Sequence, residues 1–368
     1  MQTVDCHGHV FPPLAEPCGF KDEERHRLYL QWGMHTHTNQ PVVRTRDRQI
    51  VTERHLWNPD DPSESGRVAG LDFRVEGNGR LAWNVDDEEY HVQYLSPGTR
   101  RTESPAETIV AQMDYVGVDR MVLQNDHLYG NSSRIFAEAI ARYPGRFIGL
   151  AQVEEGFAWT DREIQRLERQ VLQEGMSGLY FTLSGFMRSG WKETYADRAF
   201  DDFWKTVERH DLPVFWVHPG ETPWGSYLEE MERFACWFEK FPAIRSVMVH
   251  GWLTTLFDDG TGHVVWPGIV QHIQDNFPVF SEVLYPISWG RSHEYPYPRA
   301  LEHIRQLHDR FGAGCMMWGS DMPNVERYCT YGQSIDYFRR HGDFLSSEEH
   351  EAVFGGNCLS LFQSSKPA

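Results

Sequence analysis

Eight short apolar runs, separated by amphipathic stretches, restrict the fold of this 368-residue sequence more than any other feature. Each run is five to seven residues long and has the composition of a buried strand. The runs cover residues 3–9, 119–125, 147–153, 178–182, 213–218, 245–250, 279–284 and 315–321. The stretches between them have helical periodicity and cover residues 105–115, 132–143, 161–174, 200–210, 227–241, 268–276 and 299–310. Strands that alternate with helices predict a parallel sheet covered by helices.

The number of strand–helix units distinguishes between the two common parallel architectures. Eight units in a chain of this length favour a closed barrel, and no glycine-rich dinucleotide-binding turn follows the first run. We therefore predict an α/β fold, a (β/α)₈ TIM barrel, rather than an open doubly wound sheet. Two further short helices are predicted after the eighth strand, at residues 334–340 and 347–354.

One long segment, residues 10–104, interrupts the alternation between the first strand and the first helix. A connection of this length carries structure of its own in a compact domain. Residues 71–83 alternate around Asn78-Gly79, a pair favoured in two-residue type I′ turns, and residues 89–95 have the pattern of another strand. We therefore predict one domain over residues 1–368, in which residues 10–104 are an insertion with a small antiparallel β flap over the active site.

The charge of the chain excludes two classes of partner. It has 53 acidic and 35 basic residues, which gives a net charge of -18 with neutral histidines. Such a field repels polyanions, so we expect neither nucleic acid nor an anionic membrane as a partner. No run approaches the ~18 apolar residues of a spanning helix, and no signal-peptide pattern opens the sequence, so we expect a cytoplasmic protein. Six cysteines without a CxxC pair are expected to be reduced thiols.

Four of the predicted strands end in residues that bind metal ions. The first run ends in His7-Gly-His9, and the fifth, sixth and eighth runs end in His218, His250 and Asp321. In a (β/α)₈ barrel the active site lies at the carboxyl ends of the strands, so these side chains are expected to converge. Imidazole nitrogens and a carboxylate oxygen suit Zn²⁺ or a similar divalent ion with one position left open.

Each of these residues also has a simpler explanation. A single histidine at the end of an apolar run is more often a hydrogen-bonded structural residue, and Asp321, followed by Pro323, has the pattern of a helix N-cap. Their joint occurrence on strands 1, 5, 6 and 8 favours the metal site. The pattern leaves open which of His218 and His250 is a ligand and which is a base.

Five motifs resemble the amidohydrolase superfamily, in particular the amidohydrolase-related branch that contains aminocarboxymuconate semialdehyde decarboxylase. They are DCHGH at residues 5–9, VHP at 217–219, VHG at 249–251, GSDMP at 319–323 and VFGGNC at 353–358. The resemblance implies that His7, His9, His218 and Asp321 are the metal ligands and that His250 carries a proton beside the metal, with Asp321 also catalytic. Binuclear members have a lysine at the end of strand 4; residues 178–182 contain none, so we expect one ion, zinc first and manganese second.

Several other residues could line the pocket. The group Arg44, Arg46 and Arg48 could bind a substrate carboxylate, because related decarboxylases use an arginine from this region. His127 and Trp252 are further candidate substrate contacts, whereas His35 and His37 are predicted to be ordinary loop residues.

The resemblance leaves the reaction open. The first hypothesis is non-oxidative decarboxylation of a small aromatic or unsaturated carboxylic acid by a carboxy-lyase. The second is hydrolysis of a C–C bond, lactone or amide, and the third is hydration of an activated double bond. A barrel that has lost activity and only binds ligands is the non-enzymatic alternative. We expect a small-molecule carboxylate substrate and a homodimer. No Gly-x-Ser-x-Gly, Walker or His-Glu-x-x-His motif supports serine hydrolase, NTPase or zincin chemistry.

Overall fold

The structure, a computed structural model, describes residues 2–37, 40–284 and 294–363. The strands of this part of the chain are β1 (Val4–Gly8), β2 (Val42–Arg44), β3 (Gln49–Val51), β4 (Arg74–Val75), β5 (Arg80–Val85), β6 (Glu88–Gln93), β7 (Arg120–Leu123), β8 (Phe147–Gln152), β9 (Gly178–Thr182), β10 (Val214–Val217), β11 (Glu221–Thr222), β12 (Gly225–Ser226), β13 (Ser246–Met248), β14 (Val279–Val283) and β15 (Met316–Trp318). The helices are α1 (Glu23–Thr36), α2 (Ala106–Val116), α3 (Ser133–Arg142), α4 (Asp161–Glu174), α5 (Asp201–Arg209), α6 (Tyr227–Lys240), α7 (Gly268–Asn276), α8 (Pro298–Phe311), α9 (Tyr331–His341), α10 (Ser347–Glu351) and α11 (Asn357–Leu361).

Eight parallel strands form the barrel, in the order β1-β7-β8-β9-β10-β13-β14-β15. The ring closes between the first and last strands through a parallel bridge that joins Gly8 to Met322. Two backbone hydrogen bonds support this seam: Asp321 N donates to His7 O at 2.8 Å, and His9 N donates to Met322 O at 2.8 Å. The predicted TIM barrel is confirmed, because each of the eight apolar runs contributes one strand.

The barrel strands are apolar on both faces because both faces are buried. The inner layer joins β-strand side chains to two residues of α11 in one cluster, consisting of Val4, Cys6, Val122, Leu150, Tyr180, Phe215, Val247, Val249, Met317, Cys358 and Leu361. The opposite faces pack against the helices in a larger cluster that includes Phe181, Trp216 and Trp318. Burial of such side chains contributes about 1.5–3 kcal/mol each and makes the barrel a rigid support for its loops.

The first strand contains an irregularity that bears on the site. Asp5 pairs with Met121 while Gly8 pairs with Leu123, so β1 has one residue more than β7 between these points. An extra residue of this kind re-aims the side chains that follow it. Cys6 belongs to the inner apolar layer, whereas His7 and His9 beyond it both face the cavity at the barrel mouth.

An antiparallel sheet of five strands, in the order β3-β2-β6-β5-β4, lies between β1 and α2, as predicted for the insertion. Its turns differ from the prediction. Val75 pairs with Leu81, and Glu76 N donates to Arg80 O, so the loop at Asn78 has three residues, 77–79. The two-residue turn lies instead at Asp86-Asp87. The insertion also contains α1, which the sequence patterns did not predict.

The insertion has an apolar core of its own that extends to the barrel. This core contains Leu30 and Met34 of α1, Trp83 of the sheet, and Leu128 and Tyr129 from the loop after β7. The shared residues place the insertion beside the carboxyl ends of the barrel strands, where the site lies.

Among the described residues, none of the helices is both long enough and apolar enough to cross a membrane. All six cysteines are free thiols, five of them buried.

Candidate metal centre and cavity

Three side chains from the two strands at the barrel seam converge on one point. His7 Nε2 and His9 Nε2 are 3.1 Å apart, and Asp321 Oδ1 lies 2.9 Å from His9 Nε2 and 3.6 Å from His7 Nε2. All three residues are buried, with at most 4% of their surface exposed. Two imidazole nitrogens and a carboxylate oxygen within 4.8 Å of one another are an arrangement that a divalent ion would bridge.

The second ring nitrogen of each histidine is fixed by the protein. His7 Nδ1 lies 2.8 Å from Glu282 Oε2, and His9 Nδ1 donates to the backbone oxygen of Gln124 at 2.9 Å. The Gln124 amide in turn donates to Glu282. These partners set the orientation of both rings and leave both Nε2 atoms for a ligand, as the outer partners of metal-binding histidines do.

Asp321 is held in its charged form. Burial alone would raise the pKa of its carboxyl, but the hydrogen bond from His9 and the nearby His7 hold that pKa well below its usual range. Asn324 Nδ2 also donates to Asp321 Oδ1 at 2.8 Å. Asp321 has a φ of 63°, a left-handed conformation that non-glycine residues seldom adopt and that is common in functional sites.

His218 lines the same cavity but stands apart from the compact group of three. Its ring packs against Phe234, with centroids 4.8 Å apart, and neither ring nitrogen has a hydrogen-bond partner in the described structure. Burial lowers the pKa of His218 to about 3, and Arg233 adds to the effect, so the ring is neutral. A buried imidazole without partners is a side chain that a ligand would complete.

His250 lies on the other side of His7, with the two ring centroids 5.4 Å apart. Its backbone N–H donates to Glu282 Oε2 at 2.9 Å, and its φ of 66° is again left-handed. Burial, followed by the neighbouring His7, lowers the pKa of His250 to about 4. His250 therefore faces the site as a neutral imidazole.

The residues present fit a divalent metal ion. The His7–His9–Asp321 group supplies oriented donor atoms, and His218 supplies buried nitrogen atoms that have no other partner. Such a set of nitrogen and oxygen donors suits Zn²⁺ or another borderline divalent ion.

The group opens into a cavity of about 780 Å³. Its walls include aromatic side chains from the barrel loops and the insertion, namely His37, Tyr94, Tyr129, Tyr180 and Tyr328. Polar lining comes from Thr36, Gln40, Asp126, Ser184, Thr255, Asn324 and Arg327. The volume is in the range of a small-molecule site.

The three arginines predicted to bind a carboxylate lie outside this cavity, so that prediction is corrected. Arg44 forms an exposed pair with Asp47, with Arg44 Nη2 2.7 Å from Asp47 Oδ2, and Arg46 pairs with Glu88 at 2.8 Å. Arg48 lies at the left-handed position of the same turn. The antiparallel pairing of β2 with β3 directs this turn to the surface of the insertion.

Trp252, predicted to be a substrate contact, also lies outside the cavity lining. It is 1% exposed, and its indole Nε1 donates to Gln274 Oε1 at 3.0 Å in the layer between barrel and helices. The ring of Trp252 is buried there and its N–H has a hydrogen-bond partner, so Trp252 is a packing residue.

His127 lies in a small recess next to the main cavity. Thr36, His37, Asp126 and Ser184 line both spaces. His127 Nε2 is 2.6 Å from Glu155 Oε2 in a buried pair. Burial alone would lower the pKa of His127, but the Glu155 carboxylate outweighs it and raises the pKa to about 9.

The sequence patterns missed Tyr94, Asn324 and Arg327, and they assigned His37 to an ordinary loop. The available signal for Asn324 and Arg327 was their position directly after the eighth strand, where barrel enzymes place functional residues. Tyr94 and His37 lie in the insertion and gave no such signal.

Two of three solved structures compared with this chain, those with TM-scores of 0.57 and 0.55, share its fold. A probable 2-pyrone-4,6-dicarboxylic acid hydrolase from Acinetobacter baumannii, with citric acid bound, matches 99% of this chain and 100% of its own, at 15% identity and a TM-score of 0.57. A Pseudomonas putida protein with the same provisional enzyme name matches 72% of this chain and 89% of its own, at 17% identity and a TM-score of 0.55. A dihydroxybenzoic acid decarboxylase from Polaromonas sp. JS666, with manganese and 2-nitroresorcinol bound, matches 73% of this chain and 88% of its own, at 17% identity and a TM-score of 0.49.

No curated protein sequence matched this chain. The amidohydrolase family model, in contrast, matches residues 4–363, which include the three converging side chains at the barrel seam and the cavity around them. This chain therefore belongs to the amidohydrolase family and is an enzyme of that family.

Proposed function

We propose that this enzyme decarboxylates a small, planar carboxylic acid with the help of one divalent metal ion. The observation that carries the proposal is the convergence of His7, His9 and Asp321 at the floor of an aromatic-lined cavity. Zinc is the first candidate for the ion and manganese the second. When bound, the ion would supply Lewis acidity to a substrate oxygen.

The residues around the ion site would have two roles: four of them would bind the ion, and one would carry a proton. His7, His9 and Asp321 would hold the ion, and His218, which has no other partner, would complete the set. Among the described residues, the ring of His250 forms no hydrogen bond with any of the proposed ion holders. It lies beside the ring of His7. It is therefore placed to hold and deliver a proton.

Decarboxylation needs a proton at the carbon that loses CO₂. His250, neutral at the start, would accept the acidic proton of the bound substrate and pass it to that carbon; the bond to the carboxyl carbon would break, and CO₂ would leave while the bonding electrons stay on the substrate. The aromatic side chains Tyr94, Tyr129 and Tyr180 give the cavity flat walls, which favour a planar, unsaturated or phenolic acid.

Hydrolysis is the second candidate, and the state of Asp321 favours it. Asp321 lies beside the imidazoles of His7 and His9 and accepts a hydrogen bond from Asn324, and these neighbours favour its unprotonated form. An unprotonated carboxylate can take a proton from water as the water attacks a carbonyl carbon; the bond from that carbon to the leaving oxygen, nitrogen or carbon would then break, and the leaving group would receive the proton from Asp321. The same cavity would then accept a lactone, an amide or a diketone.

One experiment separates the two reactions. Purified enzyme with its ion content measured by elemental analysis is incubated in ¹⁸O-labelled water with a panel of carboxylated phenols and ring-cleavage products. CO₂ release without labelled oxygen in the organic product supports decarboxylation. Labelled product without CO₂ selects hydrolysis or hydration, and the absence of both with a fully loaded enzyme would contradict the proposal.

A further inference from the structure

Arg188 joins the insertion to the barrel beside the cavity. It lies on the 3-10 helix Leu183–Ser189, which directly follows β9. Its Nε donates to Glu64 of the insertion, and its Nη1 donates to Glu154 Oε2, just after β8, at 3.1 Å. The same Nη1 donates to the hydroxyl of Tyr29, on α1 of the insertion, at 3.1 Å. The Arg188 and Glu154 side chains are 17% and 15% exposed, so water screens this ion pair only weakly.

Tyr29 is the residue of α1 that enters this network. Its hydroxyl donates to Glu154 Oε2 at 2.7 Å, and its ring stacks on that of His127, with the two centroids 4.7 Å apart. His127 is paired with Glu155, whose Oε1 accepts from the backbone N–H of Thr182 at 3.2 Å, at the end of β9. Tyr29 thus contacts the loops that follow three neighbouring barrel strands, β7, β8 and β9.

The carboxyl end of α1 forms part of the cavity wall. Thr36 and His37, the last residue of the helix and its C-cap, line the cavity together with Asp126 of the barrel. The ring of His37 is tied to the helix, because its Nδ1 donates to Gly33 O at 2.7 Å. Thr36 follows Tyr29 by seven residues, about two helical turns, so a contact that fixes Tyr29 also fixes this part of the wall.

Apolar contacts alone leave this edge of α1 without a defined position. The buried cluster at this edge contains Leu28, Tyr29, Trp32 and Trp57 of the insertion, and a single buried residue, Met187, of the described part of the barrel. Hydrophobic contact has no preferred direction. A guanidinium that bonds two carboxylates, in contrast, fixes both a distance and an angle.

We propose that Arg188 is a positioning residue. With Glu64 and Glu154 it forms a latch that holds α1 against the barrel, and α1 in turn fixes its end of the cavity wall. The expected effect on turnover rests on the proposed function, whereas the latch itself is a contact within the fold. If only molecules with α1 in place bind the substrate, the apparent affinity falls with the fraction of such molecules. Loss of the latch should then raise KM and change kcat little, because a saturating substrate selects the molecules with α1 in place.

Hydrogen exchange followed by mass spectrometry tests the latch without a substrate. Zinc-loaded, full-length wild type and R188Q are compared over α1 and, as an internal reference, over α7. Exchange of the α1 amides should be ~10–100-fold faster in R188Q, the range for a lost hydrogen bond between charged groups, while exchange of α7 stays the same. Equal exchange of α1 in the two proteins would overturn the proposal.

The matched control is R245Q. Arg245 is 16% exposed, pairs with Asp211 at 2.8 Å, and directly precedes β13, at the end of the barrel away from the cavity. Its loss should destabilise the fold without changing the relative exchange of α1. Faster exchange of α1 in R245Q, to the same extent as in R188Q, would show that the effect comes from lower stability and not from the latch.

Steady-state kinetics then measure what the latch does for the site. The substrate is an acid turned over in the panel of carboxylated phenols and ring-cleavage products. R188Q should raise KM by ~10–100-fold and change kcat by less than ~3-fold, with zinc content unchanged, whereas R245Q should keep the wild-type KM. R188K should recover part of the affinity, because an ammonium group keeps the charge but lacks the planar fork of a guanidinium. A lower kcat with an unchanged KM would overturn the positioning role.

The outcomes separate this inference from the proposed function. If no acid is turned over but the exchange of α1 depends on Arg188, the latch stands and the reaction is wrong. If acids are turned over and neither the exchange of α1 nor KM responds to R188Q, the latch is wrong and the reaction stands. If R188Q does not fold, E64Q provides the decision, because Glu64 is 39% exposed and its replacement breaks the latch on the insertion side.

Discussion

At the metal centre, each histidine of β1 uses one ring nitrogen for the protein and keeps the other for a ligand. Glu282 and the Gln124 carbonyl accept from the two Nδ1 atoms, so the two Nε2 atoms and Asp321 Oδ1 are left facing one another. Without an ion, the arrangement brings a carboxylate and two imidazoles together in a buried space. We therefore expect the loss of any one of these three side chains to impair binding of the ion.

Replacement of His7 or Asp321 by alanine should empty the centre. Metal content is expected to fall from about one ion per chain to near zero after gel filtration, and turnover with it, because each variant removes one of the four proposed donors and weakens the binding of the ion. Elemental analysis after gel filtration measures the loss. H272A, on the exposed face of α7, is the matched control and should keep its ion. Full activity in H7A or D321A would remove the ion from the mechanism.

Glu282 should tune the centre without binding the ion itself. E282Q keeps the shape of the side chain but removes the charge that orients His7, so metal affinity is expected to fall by ~10–100-fold. Competition with a chelator of known affinity measures the change. E239Q, an exposed glutamate of α6, is the control. An unchanged affinity in E282Q would show that the charge of Glu282 does not contribute to binding of the ion.

His250 and His218 should behave differently when replaced. H250A is expected to keep its metal and to lose turnover by ~10²–10⁴, the range for a missing acid or base. H218A is expected to lose metal affinity first. Metal titration alongside steady-state kinetics separates the two effects, and the opposite pattern would exchange the two roles.

The ligand candidates could be predicted from sequence, but the substrate contacts could not. His7, His9, His218, His250 and Asp321 each end an apolar run, and the barrel rule then places all of them at one mouth. Arg327 follows the eighth run by six residues, but that position alone does not predict a cavity contact, because its place in the cavity depends on a tight turn and on ring contacts with the insertion.

At the scale of elements, the barrel was predictable and the insertion only in part. The strands are fully buried, so their apolar runs are unambiguous, whereas α1 buries His26, Gln31 and Gly33 alongside its apolar residues and shows no clean stripe. The hairpin turns were also misassigned. Asn78 and Gly79 both have positive φ, as the pair suggests, yet the loop has an additional residue.

The His127–Glu155 pair in the recess beside α1 should make the stability of the fold depend on pH. The pKa of His127 is raised from 6.5 to about 9 because the attraction of Glu155 outweighs the effect of burial. The folded protein thus holds this proton more tightly than the unfolded chain does. The pair stabilises the fold fully below pH 6.5, and its contribution is lost as the pH rises through about 9.

Urea unfolding at several pH values measures this contribution. Between pH 6.5 and about 9, the free energy of unfolding of the wild type should fall by ~1–3 kcal/mol more than that of H127Q. The difference between the two proteins removes the effect of other titrating groups. Parallel curves would show that His127 is neutral in the folded state throughout this range.

For the whole molecule, the ion should stabilise the fold as well as the reaction. A ligand that binds only the folded state at ~100 times its dissociation constant adds about 2.7 kcal/mol. Chelation is therefore expected to lower the melting temperature by ~2–8 °C, and restored zinc should reverse the change. Calorimetry measures the shift. D321A should melt at one temperature with or without zinc, and a zinc-dependent shift in that variant would place the stabilising ion elsewhere.

The seam between β1 and β15 has a consequence for how the enzyme is made. His7 and His9 precede Asp321 by more than 300 residues, so they emerge from the ribosome long before it. Ser320, next to Asp321, donates to Asp5, so the two ends of the barrel are joined at the place where the ion would bind. The complete ion site can therefore form only after the eighth strand has been synthesised and has joined the first, and a chain stalled before that strand would lack Asp321.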